Sequence, residues 1–257
     1  MSTTSVFWSL VRHELSSTGN RRKSNRTVAR EWWMIYMLVA AAAGLAAMLY
    51  FALNHQLHLP YIWYATLGAP YMMVMFGVNG IKREWDNETQ GWWLTLPYPR
   101  SWLVTAKWLA GIIRALKVMG AVFVAGTAFA MLIGFTISGY SLADVESFVV
   151  VGLNWLLPLA GFSPLLMAMG MLLAATPYTR LRPLSPLLWF VFMSVCSLFY
   201  QNFEGFGFRG IVDQAASTAP GLLPYPWEIL AIIAAGWAIA GAFIGLIVHL
   251  LHKKLSF

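Results

Sequence analysis

The run WWMIYMLVAAAAGLAAMLYFAL, from Trp32 to Leu53, limits the possible folds of this chain more than any other segment. It contains no charged residue, and it is as long as the stretch of about 20 apolar residues that a helix needs to cross the hydrocarbon core of a bilayer. In that environment every backbone N–H and C=O must be hydrogen-bonded within the segment. The run therefore predicts a transmembrane helix.

Five further apolar segments lead to the same prediction, although the fifth span is short. The composition agrees, because a chain that is 59% hydrophobic and 11% charged has too little charged surface for a soluble protein of 257 residues. We predict an all-α membrane protein with one domain, residues 1–257. Its six transmembrane helices would be residues 32–53, 61–81, 118–137, 148–176, 184–200 and 227–251.

The distribution of Lys and Arg predicts the orientation of these helices. If both termini are cytoplasmic, every Lys and Arg except Arg209 lies on the cytoplasmic side, as the positive-inside rule requires. The formal net charge of +7 then reflects topology and attraction to anionic membrane lipid, and no nucleic-acid partner is expected. We expect a multi-pass protein with cytoplasmic N and C termini.

Two segments outside the spans are predicted to lie at the membrane surface. Residues 5–16 place Phe7, Val11 and Leu15 at helical spacing, which is typical of an amphipathic interfacial helix. Residues 201–226 are rich in Gly, Pro and Phe, too apolar for a solvated loop and too interrupted for a span. We expect them to form a re-entrant or interfacial segment on the outer side, between the fifth and sixth spans.

The stretch KREWDNETQGWWLTLPYPRSW, residues 82–102, is the charged exception in this apolar chain. Acidic side chains stand beside tryptophans and leucines, a mixture that favours a docking surface for another protein. Beyond it, Arg100, Lys107 and Arg114 share nearly one helical face, so we expect a basic-striped helix that continues into the third span. Snorkelling of these three residues to the membrane surface is an alternative explanation of the stripe.

Sequence signatures of catalysis are missing. The sequence has no HExxH and no GxSxG motif, and it has no Gly-Lys dipeptide, which a Walker A motif requires. His55 and His58 are too few to predict a metal site. We expect no enzyme activity, no metal and no cofactor in this chain, so that any ATP and Mg²⁺ would bind to another polypeptide.

The predicted spans carry no charged residue at their centres, which leaves uncharged polar residues and prolines as candidates for a substrate pathway. The fourth span is the best candidate for a broken helix that lines a cavity, although prolines more often kink and pack a helix. The predicted pathway residues are Asn79, Asn154, Pro158, Ser163 and Pro164.

The charged stretch resembles the cytoplasmic segment between the second and third spans of ABC-2 type permeases. An acidic residue, a Gly, a Leu-rich turn, a Pro, a basic residue and a later Lys follow one another in the order of that family. They are Glu84, Glu88, Gly91, Leu94, Leu96, Pro97, Arg100 and Lys107. The layout of an interfacial helix, six spans and an apolar outer segment is also similar, whereas the Trp92–Trp93 pair departs from the pattern.

The resemblance implies a coupling segment, residues 83–97, that docks into a groove of a separate ATP-binding subunit. It also implies a complex of two ATPase subunits with two permeases, the second being another copy or a paralogue, in the bacterial cytoplasmic membrane. The residues expected at the ATPase interface are Arg83, Glu84, Asp86, Glu88, Gly91, Trp92, Trp93, Leu94, Leu96, Pro97 and Arg100.

The function expected from this resemblance is the permease subunit of an ATP-driven exporter. Its uncharged and aromatic-rich spans suit a hydrophobic or amphipathic substrate, such as a peptide toxin or an antibiotic. A membrane-embedded immunity or scaffold protein without transport is the alternative, because the motif is short and degenerate. Transport that depends on ATP would separate the two.

Overall fold

The computed structural model describes residues 3–16, 27–89, 91, 96–179, 181–200, 221–222 and 227–254. Within these ranges the chain is helical and has no strand, which confirms the predicted all-α class. The helices are α1 (Thr3–Ser16), α2 (Thr27–Leu53), α3 (Ala69–Asp86), α4 (Arg100–Thr136), α5 (Leu142–Ala175), α6 (Ser185–Leu198) and α7 (Glu228–Lys254). Short 3₁₀ helices cover Leu59–Thr66, Thr176–Tyr178 and Arg182–Leu184.

Four of the described helical segments are long and apolar enough to cross a membrane. They are Met34–Leu53, Arg100–Thr136, Leu142–Tyr178 and Glu228–Leu251, and they contain most of the first, third, fourth and sixth predicted spans. The fifth predicted span corresponds to α6, an apolar helix of 14 residues. At about 1.5 Å per residue, α6 is about 21 Å long and shorter than the hydrocarbon core. Six spans therefore stay a prediction, and the proposed outer segment 201–226 lies outside the described residues except for 221 and 222.

The second predicted span, residues 61–81, is not one continuous helix. Its first part is the 3₁₀ helix Leu59–Thr66, and α3 begins only at Ala69. Pro70 lies in the first turn of α3. A proline fits there because its missing N–H would have no partner in the first turn, whereas inside a helix its ring clashes with the preceding carbonyl. The α-helix therefore begins at Ala69, inside the predicted span, and it extends beyond the end of that span to Asp86.

Helix α4 joins the third predicted span to the charged stretch before it. It runs without interruption from Arg100 to Thr136, over 37 residues. Its length of about 55 Å exceeds the hydrocarbon thickness of about 30 Å, so part of the helix must project beyond the membrane. The continuous helix predicted from Arg100 into residues 118–137 is confirmed, and its crossing of the membrane stays a prediction.

Helix α5 is the centre of the bundle. It packs against α3, α4, α7 and the 3₁₀ helix Leu59–Thr66, and most of its side chains are buried. Its approach to α3 depends on two glycines, because a Cβ on Gly170 would lie 2.1 Å from Val74 O, and one on Gly77 would lie 2.3 Å from Met167 O. Small residues allow helix backbones to meet this closely in membrane proteins.

Helix α2 lies at the edge of the bundle. Most of its described side chains are exposed, Leu38 at 71%, and Ala52 near its end is a buried exception. An apolar helix with this exposure presents the surface that lipid or another membrane helix would cover. The bundle core is therefore built around α3, α4, α5 and α7.

Candidate functional site

One end of the bundle joins segments that are far apart in the sequence: α1, the end of α3, the start of α4 and the end of α7. Arg100 Nη1 donates a hydrogen bond to Leu251 O at 3.1 Å, and Arg114 Nη2 donates one to Glu14 O at 3.0 Å. Both bonds bring a cation to carbonyls near the end of another helix, where the helix dipole is negative. The segments that the orientation rule assigned to the cytoplasmic side are thus neighbours.

Helix α1 is the amphipathic helix predicted over residues 5–16, and its apolar side packs on α4. Val11 is buried against Ala106 and Ala110. The ring of Phe7 meets that of Trp102 edge-on, with 6.0 Å between centroids. The two alanines leave room for this close contact. The apolar side of α1 therefore packs against α4 within the protein.

Lys107 lies at the junction of α1, α3 and α4. Its Nζ donates hydrogen bonds to Glu14 Oε1 at 2.6 Å and to Glu84 Oε1 at 2.7 Å, and the Lys107 side chain is only 2% exposed. The second oxygen of Glu84, Oε2, accepts a hydrogen bond from Thr89 Oγ1 at 2.6 Å. We call Glu14, Glu84, Thr89 and Lys107 the Lys107 cluster.

The electrostatics of the Lys107 cluster keep Glu84 ionised. Burial raises the pKa of Glu84, but the charge of Lys107 and the hydrogen bonds from Lys107 and Thr89 lower it by more. The net pKa lies below the ordinary value of 4.5. At neutral pH one buried cation is therefore shared by carboxylates from two other segments.

The end of α3 has the geometry of a Schellman motif. Thr89 N–H donates to Glu84 O at 2.9 Å, and Glu88 N–H donates to Trp85 O at 3.1 Å. In this motif the residue just after the helix has left-handed backbone geometry and is usually a glycine. Here that residue is Glu88, with a φ of 57°. Trp85 also stacks on Tyr178, with 4.6 Å between ring centroids. The end of α3 is thus fixed in direction.

The residues predicted for the ATPase interface divide into two groups in the structure. Asp86, Glu88, Gly91 and Pro97 are exposed, and Arg83, Leu96 and Arg100 are half-buried. Glu84 was also predicted for this interface, but it is half-buried and its carboxylate lies in the Lys107 cluster. Trp92, Trp93 and Leu94 lie outside the described residues.

Sequence reasoning missed two members of the Lys107 cluster, Glu14 and Thr89. Glu14 follows Val11 by three residues, which places it close to the apolar side of α1. An acidic residue beside the buried stripe of an amphipathic helix was the available signal. Thr89 had none, because its role depends on the Schellman turn.

The predicted substrate-pathway residues are mostly inside the bundle. Asn79 is exposed on α3, whereas Asn154, Pro158, Ser163 and Pro164 are buried on α5. Helix α5 passes through both prolines without interruption, so the expected broken helix is absent from this part of the chain.

The hydrogen bonds around Pro164 explain why α5 continues. Pro164 has no N–H to donate to the carbonyl of Ala160, and Ser163 Oγ donates to Ala160 O instead, at 2.7 Å. Trp108 Nε1 donates to Pro164 O at 2.9 Å and Trp237 Nε1 donates to Gly161 O at 3.0 Å. These residues connect α5 to α4 and α7 in this conformation.

The opposite end of the bundle contains an open cavity of about 310 Å³. It lies between the two loops predicted to be outer, which are joined by a hydrogen bond from Tyr140 Oη to Leu57 O at 3.0 Å. His55, His58 and Asp144 are among its lining residues. In the part of the chain that the structure describes, no group of three His, Cys, Asp or Glu side chains could hold a metal ion.

Comparison with known families identifies the kind of protein to which the chain belongs. Residues 36–217 match the model of the ABC-2 family transporter protein, which is well over half of the chain and includes all of α3 and α5. No curated protein and no solved structure matches the chain. Together with the long apolar helices, the match identifies an integral membrane protein of the permease type, which in general works with an ABC ATPase. The chain therefore belongs to the ABC-2 family of transporter proteins.

Proposed function

We propose that this chain is the permease subunit of an ATP-driven exporter in the bacterial cytoplasmic membrane, with cytoplasmic N and C termini. ATP and Mg²⁺ bind to a separate ATPase subunit. Two ATPase subunits work with two permeases, the second being another copy of this chain or a paralogue. The complex moves a hydrophobic or amphipathic substrate outward, such as a peptide toxin or an antibiotic.

The observation that carries this proposal is the exposed acidic end of α3, found in a chain of the ABC-2 family. Asp86 and Glu88 are exposed at the end of a helix whose earlier turns touch the central helix α5. A subunit that binds this end can displace α3, and the backbone contact at Gly77 and Gly170 passes the displacement to α5. Docking at the end of α3 thereby reaches the centre of the bundle.

The proposed orientation is supported by two separate observations. The Lys and Arg distribution favours cytoplasmic termini, and the segments it assigns to that side are joined by Arg100, Lys107 and Arg114. The two predicted outer loops are joined at the other end by Tyr140. The proposed substrate class is supported by α5, whose buried polar residues, Asn154 and Ser163, are uncharged.

Co-purification tests the proposal. The tagged permease is coexpressed with candidate ABC-type ATP-binding subunits from the same genome, solubilised and purified. We expect an ATPase subunit to co-purify with the unchanged protein and with Glu146→Lys, an exposed charge change in the predicted outer region. We expect Glu88→Lys to weaken the complex, because it reverses a charge at the proposed docking end. The absence of any ATP-binding subunit from the unchanged permease would contradict the proposal.

Transport in vesicles separates an exporter from an immunity or scaffold protein. Inverted membrane vesicles that contain both subunits are given ATP and a panel of fluorescent amphipathic compounds and hydrophobic peptides. An exporter accumulates its substrate only with ATP and only when both subunits are present. An ATPase complex that accumulates none of the panel with ATP supports the scaffold function instead.

A further inference from the structure

The Lys107 cluster has a property that the proposed function does not explain. Lys107 is buried, and its two carboxylate partners come from other helices, 93 and 23 residues away in the sequence. Removing a cation and two carboxylates from water is costly, and apolar residues of similar volume often give equal or greater stability. Bundle stability therefore does not by itself account for a lysine at this position.

The geometry of the cluster links the end of α3 to α1. Glu84 lies in the last turn of α3, directly before the exposed end that the proposed function assigns to ATPase docking. Glu14 lies in the last turn of α1. Both carboxylates contact the same atom, Lys107 Nζ, so a displacement of one changes the electrostatic energy of the other.

Helix α1 is also held in a way that suits movement together with α4. Its buried Val11 packs on Ala106 and Ala110, which lie near Lys107 on α4, and the carbonyl of Glu14 accepts a hydrogen bond from Arg114. The opposite side of α1 is exposed at Arg12 and His13. A shift of α1 together with α4 would therefore move this exposed surface without exposing the apolar one.

We infer that Lys107 is a positioning residue that couples the docking end of α3 to α1, so that the N-terminal helix moves when the ATPase subunit binds ATP. This inference rests on the proposed function. It adds Glu14, Lys107 and α1 to the elements that respond to ATP. In this account the ion pairs transmit a change of position, while the apolar contacts with α4 keep α1 on the bundle.

Hydrogen–deuterium exchange of the permease–ATPase complex tests the inference without a known substrate. Exchange is measured with and without Mg²⁺, ATP and orthovanadate, in peptides that cover residues 3–16 and 83–97. In the unchanged complex we expect both peptides to change their exchange on ATP binding. In Glu14→Gln we expect the response of residues 83–97 to persist and that of residues 3–16 to be lost.

The matched control is His13→Gln, which changes the neighbouring exposed residue and should respond like the unchanged protein. Glu84→Gln breaks the same bridge from the α3 side and should also remove the α1 response. A variant is folded if, without nucleotide, the amides of α5 exchange as slowly as they do in the unchanged protein. A variant that loses this protection is replaced by the other one.

The outcomes separate the inference from the proposed function. A full α1 response in both folded variants, or no α1 response in the unchanged complex while residues 83–97 respond, would overturn the inference and leave the proposed function standing. Failure of the unchanged permease to form an ATPase complex would overturn both.

Discussion

The two halves of α3 contact the rest of the protein in opposite ways. The first half, within the predicted second span, meets α5 through the backbone contact at Gly77 and Gly170. The C-terminal end is held by the ion pair of Glu84 with Lys107 and by the stacking of Trp85 on Tyr178. One contact depends on shape, and the other depends on charge and ring stacking.

This difference has a mechanical consequence. Closely packed backbones have few alternative arrangements, so the first half of α3 and the middle of α5 should move as one body. Ion pairs can exchange partners and respond to a docking subunit, to pH or to a charge substitution. Under the proposed function, we therefore expect an ATPase to act on the C-terminal end of α3, and we expect the glycine contact in the first half to carry the movement to α5.

The largest expected effect comes from the charged half. Lys107→Ala leaves the carboxylates of Glu14 and Glu84 together without their cation, and it should lower the free energy of unfolding by about 3–5 kcal/mol. Thermal or denaturant unfolding in detergent micelles measures the loss. Lys82→Ala, at an exposed position of α3, is the control and should change stability little. Equal losses in the two variants would contradict a structural role of the Lys107 cluster.

The glycine contact gives the next effect. Gly170→Ala places a Cβ against Val74 O, so the backbones must separate, at a cost of about 1–3 kcal/mol in the free energy of unfolding. Gly80→Ala is the matched control on α3, because nothing lies within 4 Å of its added Cβ. It should stabilise the helix by up to about 1 kcal/mol. If Gly170→Ala were as stable as Gly80→Ala, the close contact would not exist in the membrane protein.

A smaller effect, of opposite sign, is expected at the turn that ends α3. Glu88→Gly removes the penalty of a left-handed non-glycine residue and should stabilise the protein by about 0.5–1 kcal/mol. Asp86→Gly, two residues earlier in the last helical turn, should destabilise it by a similar amount. Unfolding of the two variants side by side checks the opposite signs, and destabilisation by both would show that the Schellman turn is wrong.

The smallest effect is the pH dependence of the charged half. The folded-state pKa of Glu84 is below 4.5, so its contribution to stability is present above about pH 4.5 and is lost as the pH falls through the folded pKa. Burial opposes the attraction of Lys107, which keeps the effect small. The melting temperature of the unchanged protein should therefore approach that of Glu84→Gln as the pH falls below the ordinary carboxyl pKa of 4.5. A difference that stays constant as the pH falls would contradict the ion pair.

Hydropathy predicted which segments are helical but not which of them are buried. The windows in α2 and α5 have mean hydropathies of 2.0 and 1.9, yet α2 is almost wholly exposed and α5 is mostly buried. Mean hydropathy counts apolar atoms and carries no information about partners. The glycines that set the α3–α5 contact were visible in the sequence, but their partners were not.

The candidate site was only partly predictable for a similar reason. The charged stretch after the second span and the basic stripe on α4 were readable from local composition. The role of Glu84 was not, because Lys107 is 23 residues away and Glu14 is on another helix. Pro70 did carry a readable signal for the start of α3, and its position favoured a helix start over a continuous span.

The most direct test of the central claim is photocrosslinking from the end of α3. A photoreactive benzoylphenylalanine is placed at Glu88, and in a matched variant at Glu146, in cells that coexpress the ATPase subunit. We expect a crosslink between position 88 and the ATP-binding subunit, with none from position 146. A crosslink from 146, or none from 88 in a complex that still co-purifies, would contradict docking at the end of α3.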